Sequence, residues 1–294
     1  MRIASLLPAA TEIVAAIGRA DDLVAVTFEC DVPAGIRDRA AVVVDTALPP
    51  GLEPGEIDAT VRERVARGLP MYELDRDALA ALGPDLILTQ DLCHVCALPA
   101  GTVDDALESI GCDAAVLSVD PHTVEDVLGA IDEIGRRAEA ADTAAVLVAE
   151  LRNRLAAVTA AVGDRPRPRV LVLEWTDPPF LAGHWVPELV HRAGARPVGG
   201  TCGQRSVAAG WDEMSALAAE IVVVAPCGYG LADAMAQADA LRHRFPGLPV
   251  VAIDSAGLVV RAGPRLVDGI EALAWAFHPE VVPAPPPDRV ARVQ

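Results

Sequence analysis

Cys93-His94-Val95-Cys96 is the densest group of chemically competent side chains in the chain. Two thiols three positions apart can chelate zinc or a softer ion, or cycle between dithiol and disulfide. A four-thiolate zinc site normally shows a second such pair, and the six cysteines supply none. Cys30, Cys202 or Cys227 would have to complete the shell from distant loops. Thioredoxin-like chemistry would want the first cysteine to open a helix, whereas Leu98-Pro99-Ala100-Gly101 predicts a loop. The preferred reading is neutral thiols lining a pocket. The metal reading keeps Cys93 and Cys96 as its ligands and would make the protein a cysteine-based sensor or chaperone. Cys112, at the mouth of a buried strand, suits packing.

Catalytic alternatives are thin. There is no P-loop, no GxGxxG opening a helix after a strand, no GxSxG and no HExxH. The histidines 94, 122, 184, 191, 243 and 278 are scattered, and His122 and His278 lie beside prolines at helix ends, where a structural role is expected. Glu29 and Asp31 read as a solvated loop face. Aromatic residues are another matter. They make up only 3% of the chain, yet Phe28, Trp175, Phe180, Trp185, Trp211 and Tyr229 fall in loops. Such loops suit a large, flat, partly apolar ligand, or else they cover the sheet ends. Trp275, on the last helix, is expected in the core.

These residues must be placed by alternating strands and helices. Strands are predicted at 2–7, 23–27, 42–44, 84–89 and 114–119, then at 169–173, 221–224 and 250–253. Helices are predicted at 11–18, 56–66, 77–82, 104–110 and 123–136, then at 187–193, 212–218, 231–240 and 264–277. That order implies parallel sheets with helices on both faces, one per half. Ligands of such sheets bind beyond the carboxyl ends of the strands. Those ends carry Phe28 to Asp31, Gln90 to Cys96, Glu174 to Phe180 and Ala225 to Gly230, with Gly199 to Gly203 as a further exposed loop. Between the halves, residues 140–162 lack proline and glycine. Leu147, Val148, Leu151, Leu155, Val158 and Val162 form one apolar stripe, and Gly163 supplies the stop. The expected organisation is an α/β lobe over 1–139, a linking spine helix over 140–163, a second α/β lobe over 164–280 and a disordered tail over 281–294.

Composition narrows the partners. A net charge of −18 argues against nucleic acid and anionic membrane surfaces. No stretch has the ~18 unbroken apolar residues of a membrane span, and the start shows no export signal. As written, the chain is expected in the cytoplasm; a misassigned start would return it to the periplasm or the cell surface. All basic side chains are arginine, a coding bias.

Several segments together resemble the class III substrate-binding proteins of ABC importers, those for vitamin B12, siderophores and haem. They are Ile3 to Gly18, Leu82-Gly-Pro-Asp-Leu-Ile-Leu88, Trp175-Thr-Asp-Pro-Pro-Phe180 with Ala182-Gly183, and Arg261-Ala-Gly-Pro-Arg265. Gln90 to Ala97 resembles a cobalamin-binding branch without an export signal. The resemblance implies two Rossmann-like lobes with mainly parallel sheets joined by one long helix, a shallow cleft and small hinge motion. It implies no catalytic centre, no required cofactor and a monomer. Asp77, and Asp212 or Glu213, would meet a permease, although aspartate at 77 replaces the family's glutamate. The expected ligand is a corrinoid, with haem or a ferric siderophore as the alternative. Its candidate contacts are Phe28, Cys30, Asp91, Cys93, Cys96, Glu174, Trp175, Trp185, Trp211 and Tyr229, with Arg205 and Arg261 for any anionic group.

Overall fold

The computed structural model of the chain describes residues 1–91, 101–103 and 113–293. Strand and helix alternate as expected and build two separate sheets. The chain groups into two compact units, Met1–Pro121 with Asp126–Ala149, and His122–Glu125 with Glu150–Gln294.

In the first unit the sheet order is β4-β3-β2-β1-β5-β6. These strands are β1 (Ile3–Ser5), β2 (Leu23–Thr27), β3 (Ala41–Thr46), β4 (Tyr72–Leu74), β5 (Leu86–Thr89) and β6 (Ala115–Ser118). All pairings are parallel except β3 with β4. The short β4, which the sequence did not announce, covers one edge. Helices begin where the sequence supplies a start. Pro8 opens Pro8–Ala16, a Glu53–Glu56 capping box opens Pro54–Ala66, and the Asp75 side chain accepts from Ala78 N at 2.9 Å to open Arg76–Leu82. Ala4, Leu6, Ala25, Val43, Val44, Leu79, Ile87 and Val103 form a core cluster. The expected helix at 104–110 lies outside the described residues.

Helix Val124–Arg137 stops near Ala138, and Glu139 takes a left-handed φ of 55° before the spine helix Ala141–Val162 begins. A methyl at Gly135 would overlap Ala144, so a glycine is required at that close approach. Along the spine, Ala144, Val148, Leu151, Leu155, Val158 and Val162 are buried. This is the expected stripe, with Ala144 taking the place of the half-buried Leu147. The spine is not a separate element: its first part belongs to the first unit and its remainder, from Glu150, to the second. There Arg154 donates to Glu271 Oε1 at 2.9 Å and also bridges to Asp268 on the last helix.

The second sheet runs β10-β8-β7-β11-β12-β13, with β9 beside β7. Its strands are β7 (Arg169–Thr176), β8 (Pro179–Leu181), β9 (Arg196–Pro197), β10 (Val207–Ala208), β11 (Ile221–Val224), β12 (Val250–Ile253) and β13 (Val290–Arg292). β7, β9, β11 and β12 are parallel, while β8, β10 and β13 are antiparallel additions. Two expectations are corrected. Glu174 to Thr176 is strand rather than loop, because β8 folds back and pairs Trp175 with Phe180. The tail is not disordered: β13 supplies the outer edge of β12 with hydrogen-bond partners, and Val290 is buried. The region 264–277 is helical only from Leu266, after a separate short helix at Ser255–Leu258.

Candidate functional site

The strand-end loop of β2 turns its thiol inward. Cys30 is 1% exposed. Its sulfur lies 3.0 Å from Thr11 Oγ1 and 3.3 Å from Thr27 Oγ1, and it accepts from Thr27 N at 3.4 Å. The expectation that Cys30 faces a ligand is therefore corrected, since small hydroxyls surround it. Phe28 is half-buried, and its carbonyl accepts from Arg37 Nη1 at 2.6 Å. Beyond β5, Asp91 is exposed; its Oδ2 accepts from Ser118 Oγ at 3.1 Å, and Asp120 binds the same hydroxyl at 2.6 Å. Cys93 and Cys96 lie outside the described residues. Among the described residues, no three His, Cys, Asp or Glu side chains are grouped to hold a metal ion.

In the second unit, β7 and β11 are parallel neighbours, so their carboxyl ends lie side by side. Cys227 N, beyond β11, donates to Glu174 O at 3.0 Å. That tie brings the Trp175 and Tyr229 rings to 5.7 Å at 53°, a tilted pair with both side chains partly exposed. The Trp175 indole N–H donates to Asp177 O at 2.9 Å.

The other expected aromatics are placed elsewhere. Trp185 is 6% exposed and donates to Val259 O at 2.8 Å, so it is core and not a wall of a binding surface. Trp211 packs edge-on against Phe245 at 6.2 Å, with Arg244 4.4 Å over its ring. Arg205 is exposed and Arg261 half-buried. Asp77, Asp212 and Glu213 are exposed in the first turns of their helices, where the helix dipole favours an acid.

Glu174 is 8% exposed and accepts from Gly183 N at 3.0 Å and from the Ser206 hydroxyl. Burial pushes its carboxyl up to about 7, against the pull of those two donors. His184 takes a left-handed φ of 49°. Burial, followed by His122 and Arg205, pushes its imidazole down toward the neutral form. Burial and Glu188 push the exposed Cys202 thiol up, so the thiol form is favoured over thiolate. His184 and Ser206 were missed in the sequence; the surrounding density of glycines at 183, 199, 200 and 203 was the available signal.

The two sheets carry these loops at their strand ends, and known proteins share the fold. No curated protein sequence matches the chain. A periplasmic haem-binding protein from Pseudomonas aeruginosa superimposes with a TM-score of 0.71 at 22% identity, covering 99% of this chain and 97% of that one. The periplasmic vitamin B12-binding protein BtuF of Vibrio cholerae gives 0.66 at 17% identity over 95% and 98%. The periplasmic haem-binding protein HutB of Vibrio cholerae gives 0.67 at 21% over 95% and 99%. These likenesses establish the fold. The model of the family described as "Periplasmic binding protein" matches residues 3–244. The chain belongs to that family, in the class of ABC-type substrate-binding proteins for iron complexes, haem and vitamin B12.

Proposed function

We propose that this chain is a non-catalytic binding protein for a corrinoid, acting as a monomer that delivers its ligand to an ABC permease. The Trp175–Tyr229 pair carries the reading. In a chain with 3% aromatic residues, it is the place where two rings meet at a strand end with partly exposed faces. A corrin ring offers the broad apolar edge that such a surface can cover, and it needs no thiolate ligand. The family works with ABC permeases. On this reading Asp77, Asp212 and Glu213 are the acids that meet the permease, with Asp91, Arg205 and Arg261 serving the ligand's polar groups. Family members are normally periplasmic or extracellular. Among the described residues no helix is long and apolar enough to cross a membrane.

One observation favours haem as the second reading. His184 is held toward its neutral form near Arg205, which would supply an axial nitrogen and a cation for a carboxylate. Titrating the protein with cyanocobalamin, cobinamide and haemin while following tryptophan fluorescence tests both. Corrinoid binding predicts saturable quenching by the first two, largely lost in Trp175→Ala. Quenching by haemin alone, with a Soret shift lost in His184→Ala, supports haem. No response to any of the three overturns both readings.

A further inference from the structure

At residue 174 the β7–β8 ladder slips. Leu173 faces Leu181 and Trp175 faces Phe180, so Glu174 is the extra residue of a β-bulge. Bulges re-aim a side chain out of the ordinary alternation. Here the carboxyl ends up buried, with Oε1 accepting from Gly183 N at 3.0 Å and Oε2 from the Ser206 hydroxyl. Gly183 follows β8 and Ser206 ends the strap 199–206 just before β10, so one carboxyl ties the strap to the end of the β7–β8 hairpin. The strap is closely seated. Gly203 N donates to His184 O at 2.8 Å, and a methyl at Gly183 would stand 2.6 Å from Arg205 C and Gln204 O. Gly199, Gly200 and Gly203 all take left-handed φ, between 70° and 75°. Beyond the strap, β10 sets Ala208 opposite Phe180, which itself faces Trp175.

We propose that Glu174 is the positioning residue of this surface: its buried carboxyl fastens strap 199–206 to the β7–β8 hairpin and so fixes Arg205 relative to the Trp175–Phe180 row. The inference rests on the reading of this surface as the binding site. It differs from a direct ligand contact, because Glu174 acts through Gly183 and Ser206.

The acid–base behaviour follows from the burial. The segments packed around Glu174 carry the titratable or charged groups His184, Cys202, Arg205, Cys227 and Tyr229. With the strap closed, the carboxyl titrates at about 7 instead of the ordinary 4.5, burial being the largest cause. Opening returns it to water, so between those values opening releases a proton, and rising pH favours the open strap. The protonated carboxyl keeps both contacts, accepting from Gly183 N and donating to Ser206 Oγ. The strap is therefore tightest in acid and loosens as pH rises through about 7.

Hydrogen exchange on the ligand-free full chain, corrected for intrinsic rates, tests this. In the wild type, protection of the 199–206 amides should fall on the order of tens-fold between about pH 5 and pH 8. Glu174→Gln keeps both contacts in a neutral form, so protection should stay high and nearly flat with pH. Ser206→Ala and Glu174→Ala should each lose about tenfold or more at the acid end while the β11 and β12 amides keep theirs. The same pH profile in wild type and Glu174→Gln overturns the proposal. So does unaltered strap protection in Ser206→Ala, a variant that spares the carboxylate and keeps the test decisive even if Glu174→Ala fails to fold. No ligand enters the measurement, so a failure of the corrinoid reading and a failure of this one are told apart.

Discussion

The ends of β2 and β7 meet the same problem differently. Each has a buried polar side chain, Cys30 just past β2 at 1% exposure and Glu174 inside β7 at 8%. A thiol behaves as a small apolar residue with weak hydrogen-bonding capacity and is readily packed. Its neighbour Thr11 has partners of its own, donating to Ser5 Oγ at 2.8 Å and to Leu7 O at 3.3 Å. The Cys30 thiol is therefore held by neutral partners from β2 and the first helix. A carboxyl is costly to bury as an anion, and Glu174 depends on two donors outside its own strand, Gly183 N after β8 and the Ser206 hydroxyl of the strap. The first end is closed by small hydroxyls and a backbone N–H. The second is conditional, because burial pushes the Glu174 carboxyl up to about 7.

The largest test concerns which aromatics belong to the conditional end. Trp185 is buried and hydrogen-bonded, so Trp185→Ala should destabilise by about 3–5 kcal/mol in urea unfolding. Trp175 is partly exposed at the surface itself. Trp175→Ala should cost roughly 1 kcal/mol or less in stability while removing most of any ligand-dependent quenching. Equal destabilisation by the two would erase the division between core ring and surface ring.

A pH series sharpens the comparison next. The folded-state value of Glu174 is raised, from 4.5 to about 7. A raised carboxyl contributes stability that is fully present below the unfolded value and lost as pH rises through the folded one. The second unit should thus lose up to about 3 kcal/mol between those limits, and Glu174→Gln should remove that slope. All four tryptophans, 175, 185, 211 and 275, belong to the second unit, so their fluorescence reports on it selectively. A wild-type slope that persists unchanged in the glutamine variant would break the assignment.

The two ends also differ in how legible they were. The long apolar runs announced the parallel strands, because burial on both faces leaves a continuous signal at Leu86 to Leu88 or Ile221 to Val224. The antiparallel edges β4, β8, β10 and β13 are two or three residues long, too short for a two-residue period to register. β7 looked finished at Leu173 because Glu174-Trp175-Thr176 is polar and aromatic; its pairing with β8 is a tertiary fact. The thiol of Cys30 was legible as chemistry but not as direction, since Ser5, Thr11 and Thr27 gather around it only once β1, β2 and the first helix assemble. Trp185 misled for the opposite reason: its place just before the predicted helix 187–193 suggested a loop, whereas its acceptor, Val259 O, lies far along the chain.

The smallest expected effect is at the self-contained end. Cys30→Ser keeps a hydroxyl-sized hydrogen-bonding group beside Thr11 and Thr27 but gives up the sulfur's volume and polarisability. With those partners retained, the loss should be about 1 kcal/mol, the scale of one methylene's burial plus a small packing defect. Calorimetry or far-ultraviolet circular dichroism should read it, because the tryptophans lie in the other unit. Thiol labelling supplies the companion measurement. In the native protein Cys202 and Cys227 are exposed and should react with iodoacetamide, whereas Cys30 should stay unmodified until the first unit opens. Peptide mapping resolves the three. Native-state labelling of Cys30 at the rate of the exposed Cys202 would mean that the Cys30 pocket stands open in the native protein, and the contrast between a complete and a conditional strand end would not hold.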